Sequence, residues 1–147
     1  PLPTHTPTQT PTPPMYSPTP TPTPTGTMTT GVRLDMPAAM YQAGDTFYLN
    51  AHVMNAESQD LENCPIFVVM DVFGSIYYGP EFSEAFSHYR DIYPVFPTGE
   101  TLVPILPSFT WPSGAGNADG IIFYGAMTDP GMTGLMGDFD MVVFGWR

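Results

Sequence analysis

The feature that most constrains this chain is an N-terminal segment made almost entirely of proline and threonine. The first 25 residues contain ten prolines and nine threonines, and residues 18–25 alternate strictly between the two. Such a segment has almost nothing apolar to bury against the entropy of ordering, so it builds no core of its own. By itself it is predicted to be a polyproline-II-like tether. We expect it to be ordered by its surroundings: a neighbouring copy of the protein, attached sugar, or both.

The chain divides once, near residue 30. Residues 1–30 are Pro/Thr-rich and carry no acidic or basic side chain apart from a histidine, and the first formal charge is Arg33. Residues 31–147 carry all 14 acidic residues of a chain whose formal net charge is −11. Their number suits one domain with one core. We therefore predict an extended segment over 1–30 and one folded domain over 31–147.

The charge balance argues against two classes of partner. The chain has three arginines and no lysine, so no basic surface can form to neutralise the phosphates of a nucleic acid. The longest apolar run, residues 65–70, is far shorter than the roughly 20 residues of a membrane-spanning helix. We expect neither nucleic acid nor an inserted membrane segment, whereas an acidic surface is compatible with divalent cations.

The proline–threonine segment also indicates a location. Segments of this composition are typical of O-glycosylated extracellular stalks. The chain has no Asn-x-Ser/Thr acceptor and begins at Pro1 rather than Met, which we interpret as a processed chain or part of a longer one. We expect an extracellular, cell-surface protein with O-linked glycans. The predicted glycosylation sites are Thr4, Thr6, Thr8, Thr10, Thr12, Thr19, Thr21, Thr23 and Thr25.

The pattern of residues 31–147 is that of an all-β domain. Short runs of β-branched and aromatic residues are separated by Gly, Pro, Asn and Asp. The predicted strands are residues 28–36, 46–56, 64–73, 75–78, 100–111, 120–128 and 140–146. Pro104 and Pro107 make the fifth of these an edge or bulged strand. Residues 81–98 are predicted to form a long aromatic loop with a short strand. About seven strands favour an immunoglobulin-like, Greek-key β-sandwich, with a jelly roll or another Greek-key sandwich as the rival.

Several predicted strands are apolar on both faces, which is unusual for a sandwich. Residues 64–73, 120–128 and 141–146 all show this pattern, although a two-sheet sandwich buries only one face of each strand. The second face indicates an interface with another copy, unless the 81–98 loop covers it. Met28, Val32 and Leu34 share one parity of the first strand and are predicted to fill the pockets of a neighbour's sheet by strand addition.

No residue pattern indicates catalysis. The three histidines lack the spacing of a zinc site, and Ser113 does not lie in a Gly-x-Ser-x-Gly turn. Asp129, Asp138 and Asp140 flank a Gly-rich loop and are candidate calcium ligands, as are the acids of residues 57–62. We expect no enzyme and no cofactor other than this candidate calcium.

The sequence makes a specific prediction for the environment or role of three other residues. Cys64 is the only cysteine, so it is predicted to be a buried small hydrophobe, with an intermolecular disulfide as the alternative. Asp71 interrupts an apolar run and is predicted to pair with Arg33 or Arg90. Trp111, together with the tyrosines of residues 77–78, is a candidate sugar-stacking platform, although core or interface packing explains the same residues.

The whole chain resembles a recurring surface architecture of environmental bacteria, in which a Pro-Thr stalk carries a terminal immunoglobulin-like domain. It is also similar to subunits of extracellular filaments whose glycosylated Pro/Thr segments and β-sandwich domains repeat along a fibre. The residues that carry the resemblance are 1–25, 43–47 (Ala-Gly-Asp-Thr-Phe), 67–74, 109–112 and 120–126. It implies an architecture and supplies no catalytic residue.

Together these patterns predict a non-enzymatic structural subunit of an extracellular, pilus-like filament. The N-terminal segment would contact a neighbouring subunit, either by strand addition near residues 26–36 or by lying in a groove. Because such a contact is heterologous, the copies would associate head-to-tail. The alternative is a stalked adhesion or carbohydrate-binding module of a secreted protein. Filament assembly requires contacts between copies, whereas a binding module requires an accessible aromatic site.

Overall fold

A computed structural model describes residues 29–147, and the predicted all-β class is confirmed for them. This part of the chain contains ten strands and no helix, hence no helix that could cross a membrane. The strands are β1 (Gly31–Asp35), β2 (Met40–Tyr41), β3 (Thr46–Asn55), β4 (Leu61–Glu62), β5 (Ile66–Val72), β6 (Ser75–Tyr78), β7 (Val95–Phe96), β8 (Gly99–Thr110), β9 (Ala118–Met127) and β10 (Asp140–Trp146). Met28 and all the predicted glycosylation sites lie outside the described residues.

The long strands form two sheets that share one core. A three-stranded sheet has the order β1-β3-β8, and a five-stranded sheet has the order β2-β10-β9-β5-β6. Every pairing in them is antiparallel except that of the two-residue β2 with β10. β4 and β7 pair separately. The arrangement fits the β-sandwich expected from the sequence.

The core lies between the inner faces of the two sheets. In β3 the burial alternates strictly, as the sequence pattern predicts, because side chains of a strand point to opposite faces in turn. The inner residues of β3 are Phe47, Leu49, Ala51, Val53 and Asn55. The four apolar ones belong to one buried cluster with residues of the opposite sheet, among them Ile66, Val68, Ile121, Phe123 and Phe144.

The two prolines of β8 have the predicted effect. β8 lies at an edge of the three-stranded sheet. Its register against β3 shifts near both prolines, since Leu49 pairs with Leu106 while Asn50 pairs with Pro104, and Phe47 pairs with Phe109. The strand is therefore both an edge strand and a bulged one, because proline has no amide hydrogen to give to a ladder.

The structure corrects the expectation for the first strand. Val32 and Leu34 are buried in this chain's own core, and β1 pairs with β3 of the same chain. Gly125 of β9 lies directly beneath them, so that a Cβ there would come within 3.0 Å of both side chains. These two residues therefore fill the core of their own sandwich, whereas the sequence analysis placed them in a neighbour's sheet.

The sandwich has two distinct ends. At one end, which we call the N-terminal end, Gly31 pairs with Met54 of β3 and bridges to Asp138. At the other, which we call the tryptophan end, Thr46 of β3 pairs with Thr110, next to Trp111. From Thr46 to Met54 is about eight residue steps of roughly 3.4 Å, so the ends lie about 27 Å apart. The chain enters the domain at the N-terminal end, opposite the tryptophan end.

Candidate functional site

Two tryptophans meet at the tryptophan end of the sandwich. Trp111 directly follows β8 and Trp146 is the last residue of β10, so the two sheets each supply one ring. The ring centroids are 5.1 Å apart with an interplanar angle of 46°. The backbone of Trp111 is fixed by two hydrogen bonds, one donated to the carbonyl of Asp45 (2.7 Å) and one accepted from the N–H of Gly44 (3.0 Å).

A pocket of about 260 Å³ opens beside the two rings. Its lining residues are Ala43, Trp111, Pro112, Gly114, Ala115, Gly116, Trp146 and Arg147. The indole N–H of Trp146 donates to the carbonyl of Ala115 (3.0 Å), which ties the loop to the ring. Gly114 and Gly116 have φ values of +78° and +74°, a conformation that glycine adopts without steric cost. We call this site the tryptophan pocket.

The rings of the pocket are supported from behind by the core. Trp111 stacks on Tyr41 (5.4 Å, 21°) and on Phe109 (5.7 Å, 28°). Burial raises the pKa of Tyr41, whose hydroxyl oxygen accepts a hydrogen bond from the N–H of Ala38. The indole N–H of Trp111 is buried and has no acceptor among residues 29–147. The ring of Trp111 is thus fixed by stacking on the core.

The pocket presents aromatic faces, and its lining contains no pair of titratable groups for acid–base chemistry. Arg147 is the only charged residue that lines it. The predicted sugar platform is divided by the fold, because Tyr77 and Tyr78 lie on β6, at the opposite edge of the five-stranded sheet from β2 and β10. The sequence analysis selected Trp111 but missed Trp146, which is far away in sequence and joins it only when the sheets pack.

The outer face of the five-stranded sheet is apolar across several strands. Met141 pairs with Tyr124 and Val143 with Ile122, and Tyr124 pairs in turn with Val69. Residues paired in this way lie on the same face of a sheet. Met141 is 50% exposed and Val143 is 45% exposed. We call the face formed by Val69, Ile76, Ile122, Tyr124, Met141 and Val143 the outer apolar face. Asp71 is the one acidic residue in these rows and lies between Ile76 and Ile122.

The 81–98 loop covers only the part of this outer face that belongs to β5 and β6. Phe86 packs against Phe67 (5.5 Å) and Tyr78 (5.4 Å), and Tyr89 is buried in the core. These contacts concern β5 and β6. The exposed side chains of β10 lie two strands away from β5 in the sheet order, and they remain open to solvent. The alternative that this loop covers the second face therefore holds for β5 and not for β10.

The outer face of the three-stranded sheet is different in character. Arg33 pairs with His52, and His52 with Leu102, so these residues form one row across the sheet. His52 forms a hydrogen bond through Nδ1 with the carboxylate of Glu100. Leu102 is 53% exposed and stands among polar neighbours. Only the five-stranded sheet has an extensive apolar outer face.

The candidate calcium ligands accept hydrogen bonds from backbone and side-chain groups of their own chain. Asp129 accepts hydrogen bonds from Thr133 Oγ1 (2.7 Å) and from the N–H of Gly131 (2.8 Å), and chiefly the former lowers the pKa of its carboxyl. Asp140 accepts one from the N–H of Leu34 (2.9 Å), and Asp138 accepts one from the side chain of Thr29. Within residues 29–147, no three acidic, histidine or cysteine side chains gather to hold a metal ion.

The expected ion pair of Asp71 does not form. Its Oδ1 accepts a hydrogen bond from the N–H of Gly74 (2.7 Å) and so closes the turn between β5 and β6. Arg90 instead donates to the carbonyl of Pro130 (2.7 Å), and Arg33 lies on the outer face of the other sheet. The prediction was wrong because the carboxylate can satisfy itself locally in a tight turn.

The expectation for Cys64 is confirmed. The thiol is free and the side chain is buried in the core cluster. Burial is the main cause that raises its pKa, which disfavours the reactive thiolate. Cys64 is therefore a packing residue of the fold.

Comparison with known proteins adds no family to this description. No protein-family profile matches the chain, and no curated protein matches it. A function for the chain has to follow from its own residues and their arrangement. The tryptophan pocket and the outer apolar face are the two surfaces from which it can be argued.

Proposed function

We propose that this chain is a non-enzymatic structural subunit of an extracellular, pilus-like filament. The observation that carries the proposal is the outer apolar face. It presents large apolar side chains of adjacent strands to solvent, on a chain whose formal net charge is −11. Contiguous apolar patches on a folded surface mark interaction sites. The partner in this proposal is a second copy of the chain.

The order of the strands supports an immunoglobulin-like sandwich as the repeating unit. In chain order, β1, β3 and β8 correspond to strands A, B and E, while β10, β9, β5 and β6 correspond to G, F, C and C′. The domain lacks the inter-sheet disulfide of antibody domains, since Cys64 is the only cysteine. Domains of this kind suit linear arrays because their two ends are free for contacts along an axis.

The position of the chain entry supports a head-to-tail arrangement. The Pro/Thr segment joins the domain at its N-terminal end, and the tryptophan pocket lies at the other end. We propose that O-linked glycans on the threonines of residues 4–25 coat the connections between subunits. Such a segment spaces successive domains, and its sugars shield it from proteases.

Self-association can be tested by placing lysines on the outer apolar face. In the double variant Met141→Lys/Val143→Lys, two charges would have to be desolvated in the contact. We expect the association constant to fall by about 100-fold, since uncompensated buried charges cost several kcal/mol. Lysines also reduce the net negative charge, so a loss of association cannot come from increased repulsion. Sedimentation velocity over a concentration series measures the effect.

Leu102→Lys is the matched control for this experiment. Leu102 has a similar exposure but lies on the polar outer face of the other sheet. We expect it to leave association unchanged. A wild-type chain that stays monomeric at all concentrations, with no filaments in electron micrographs, would overturn the proposal. Equal loss of association in both variants would show that the outer apolar face is not the contact.

A second candidate function is a stalked carbohydrate-binding module. The tryptophan pocket favours it, because aromatic faces are a common platform for sugar rings. Trp111 and Trp146 are the only tryptophans of the chain, so its fluorescence reports on this pocket alone. A saturable change in emission with oligosaccharides would support this candidate.

A further inference from the structure

We propose that the tryptophan pocket receives the Pro-Thr repeats, residues 18–25, of a second copy of this chain. The inference rests on the proposed self-assembly and names the contact that gives it a direction. The chain would then carry both halves of one interaction, a proline-rich ligand at one end of the subunit and an aromatic receptor at the other.

The chemistry of the pocket matches that of a proline-rich segment. Alternating Thr-Pro favours polyproline II, a conformation that needs little further ordering on binding. Proteins recognise such segments on grooves lined by aromatic rings. The pocket offers the faces of Trp111 and Trp146 together with Pro112, and core rings hold the first of these in place.

Charge and hydrogen bonding point the same way. The acidic surface of the domain does not repel the repeats, because residues 18–25 contain no charged side chain. The backbone carbonyls of a polyproline-II segment have no internal partners and are free acceptors. Arg147, the only charged residue of the pocket lining, supplies several donors for them.

The geometry favours a second copy over the chain's own segment. The repeats end four residues before Thr29, which is about 13 Å of polyproline II, and the repeats themselves span about 25 Å. The segment joins the domain at the N-terminal end, so every path to its own pocket starts at the far end of the sandwich. To reach its own pocket the segment would have to reverse and run back along the whole sandwich, about 27 Å. A neighbour only has to stand in line, and such contacts propagate without closing.

The first test is a fluorescence titration of the full chain, diluted until it is monomeric. The probe is a synthetic peptide with the sequence of residues 18–25, and the control peptide has its four prolines replaced by alanine. We expect the native peptide to give a saturable shift of tryptophan emission and the control peptide to give none. Arg147→Ala should weaken binding by about tenfold, because it removes a charged donor. Arg33→Ala, on the polar outer face of the other sheet, should leave binding unchanged.

The second test replaces Pro18, Pro20, Pro22 and Pro24 by alanine in the full chain. We expect association to weaken by tenfold or more while the thermal unfolding midpoint of the domain is unchanged, since these residues lie outside it.

Each remaining outcome has a distinct meaning. Unchanged association of the proline variant, with no response to the peptide, would overturn this inference but leave the proposed function standing if the lysine variant still dissociates. Tryptophan emission that shifts with oligosaccharide and not with the peptide would also overturn this inference. Occupancy of the pocket that does not change with protein concentration would overturn it too, because the contact would then lie within one chain. A wild-type chain that never associates would overturn both proposals.

Discussion

Asn55 shows how a single polar residue can organise a corner of the sandwich. It is 0% exposed and is the only fully buried polar side chain among the described residues. Its Nδ2 donates to the carbonyls of Gln59 (2.9 Å) and Phe96 (3.0 Å), and its Oδ1 accepts from the N–H of Glu57 (2.9 Å). One amide therefore holds the turn after β3 and also β7. The alternation of β3 predicts that Asn55 is buried, but the sequence does not reveal its hydrogen-bond partners.

Asn55→Ala should destabilise the domain by about 2–3 kcal/mol, because it removes a buried hydrogen bond to the carbonyl of Phe96 and two partly buried ones to Gln59 and Glu57. Urea unfolding followed by circular dichroism measures the change. Asn50→Ala is the control, since Asn50 lies on the outer face of the same strand and should change stability by less than about 0.5 kcal/mol. Equal effects of the two substitutions would contradict this account.

At the scale of the elements, the sequence predicted the strands of four or more residues well and the two-residue strands β2 and β4 not at all. Residues 140–146 match β10, and 46–56 differ from β3 by one residue, because clear periodicity or a compact apolar run identifies such segments. β2 and β4 were missed, since two residues carry no period. The apolar second face was visible in the strand patterns. The tryptophan pocket was not, because it forms only where separate strand ends meet.

The start of β1 depends on a close backbone approach. Gly31 has φ +148°, and a Cβ there would lie 2.3 Å from the carbonyl oxygen of Asp138. The neighbouring Val32 N–H donates to that same carbonyl (2.9 Å). This contact fixes the point where the N-terminal segment enters the sandwich.

Gly31→Ala should therefore cost about 2–4 kcal/mol, since it adds a backbone clash to an unfavourable φ. Gly74→Ala provides the comparison: its φ is +94° but its Cβ would meet no atom within 4 Å, so it should cost only about 1 kcal/mol. Chemical denaturation measures both, and hydrogen exchange should show faster exchange in β1 of the Gly31 variant only. Equal costs would show that crowding at Asp138 is unimportant.

The whole molecule combines an acidic surface with neutral and apolar candidate contacts. Each copy carries a formal charge of −11, so like-charge repulsion opposes association. The outer apolar face and the Pro-Thr repeats contribute few charges of their own. Association should therefore be limited by long-range repulsion more than by the contacts.

Salt should consequently strengthen self-association. Raising NaCl from about 0.1 M to about 1 M shortens the Debye length from roughly 10 Å to roughly 3 Å. We expect the association constant to rise by about tenfold, measured by sedimentation velocity. Near the sequence pI of about 4.1 the effect should be much smaller, because the net charge is then close to zero. Weaker association in high salt would instead indicate ion pairs between copies.

The edges of the two sheets limit how copies can join. β2 has two residues and β6 has four, β8 carries two prolines, and β1 is bonded to Asp138 at its start. Amyloid grows by adding strands to long, open backbone edges. A high local concentration of copies along one axis should therefore not convert them to cross-β aggregates. Subunits released by mild dissociation should remain folded and should reassociate without having to refold.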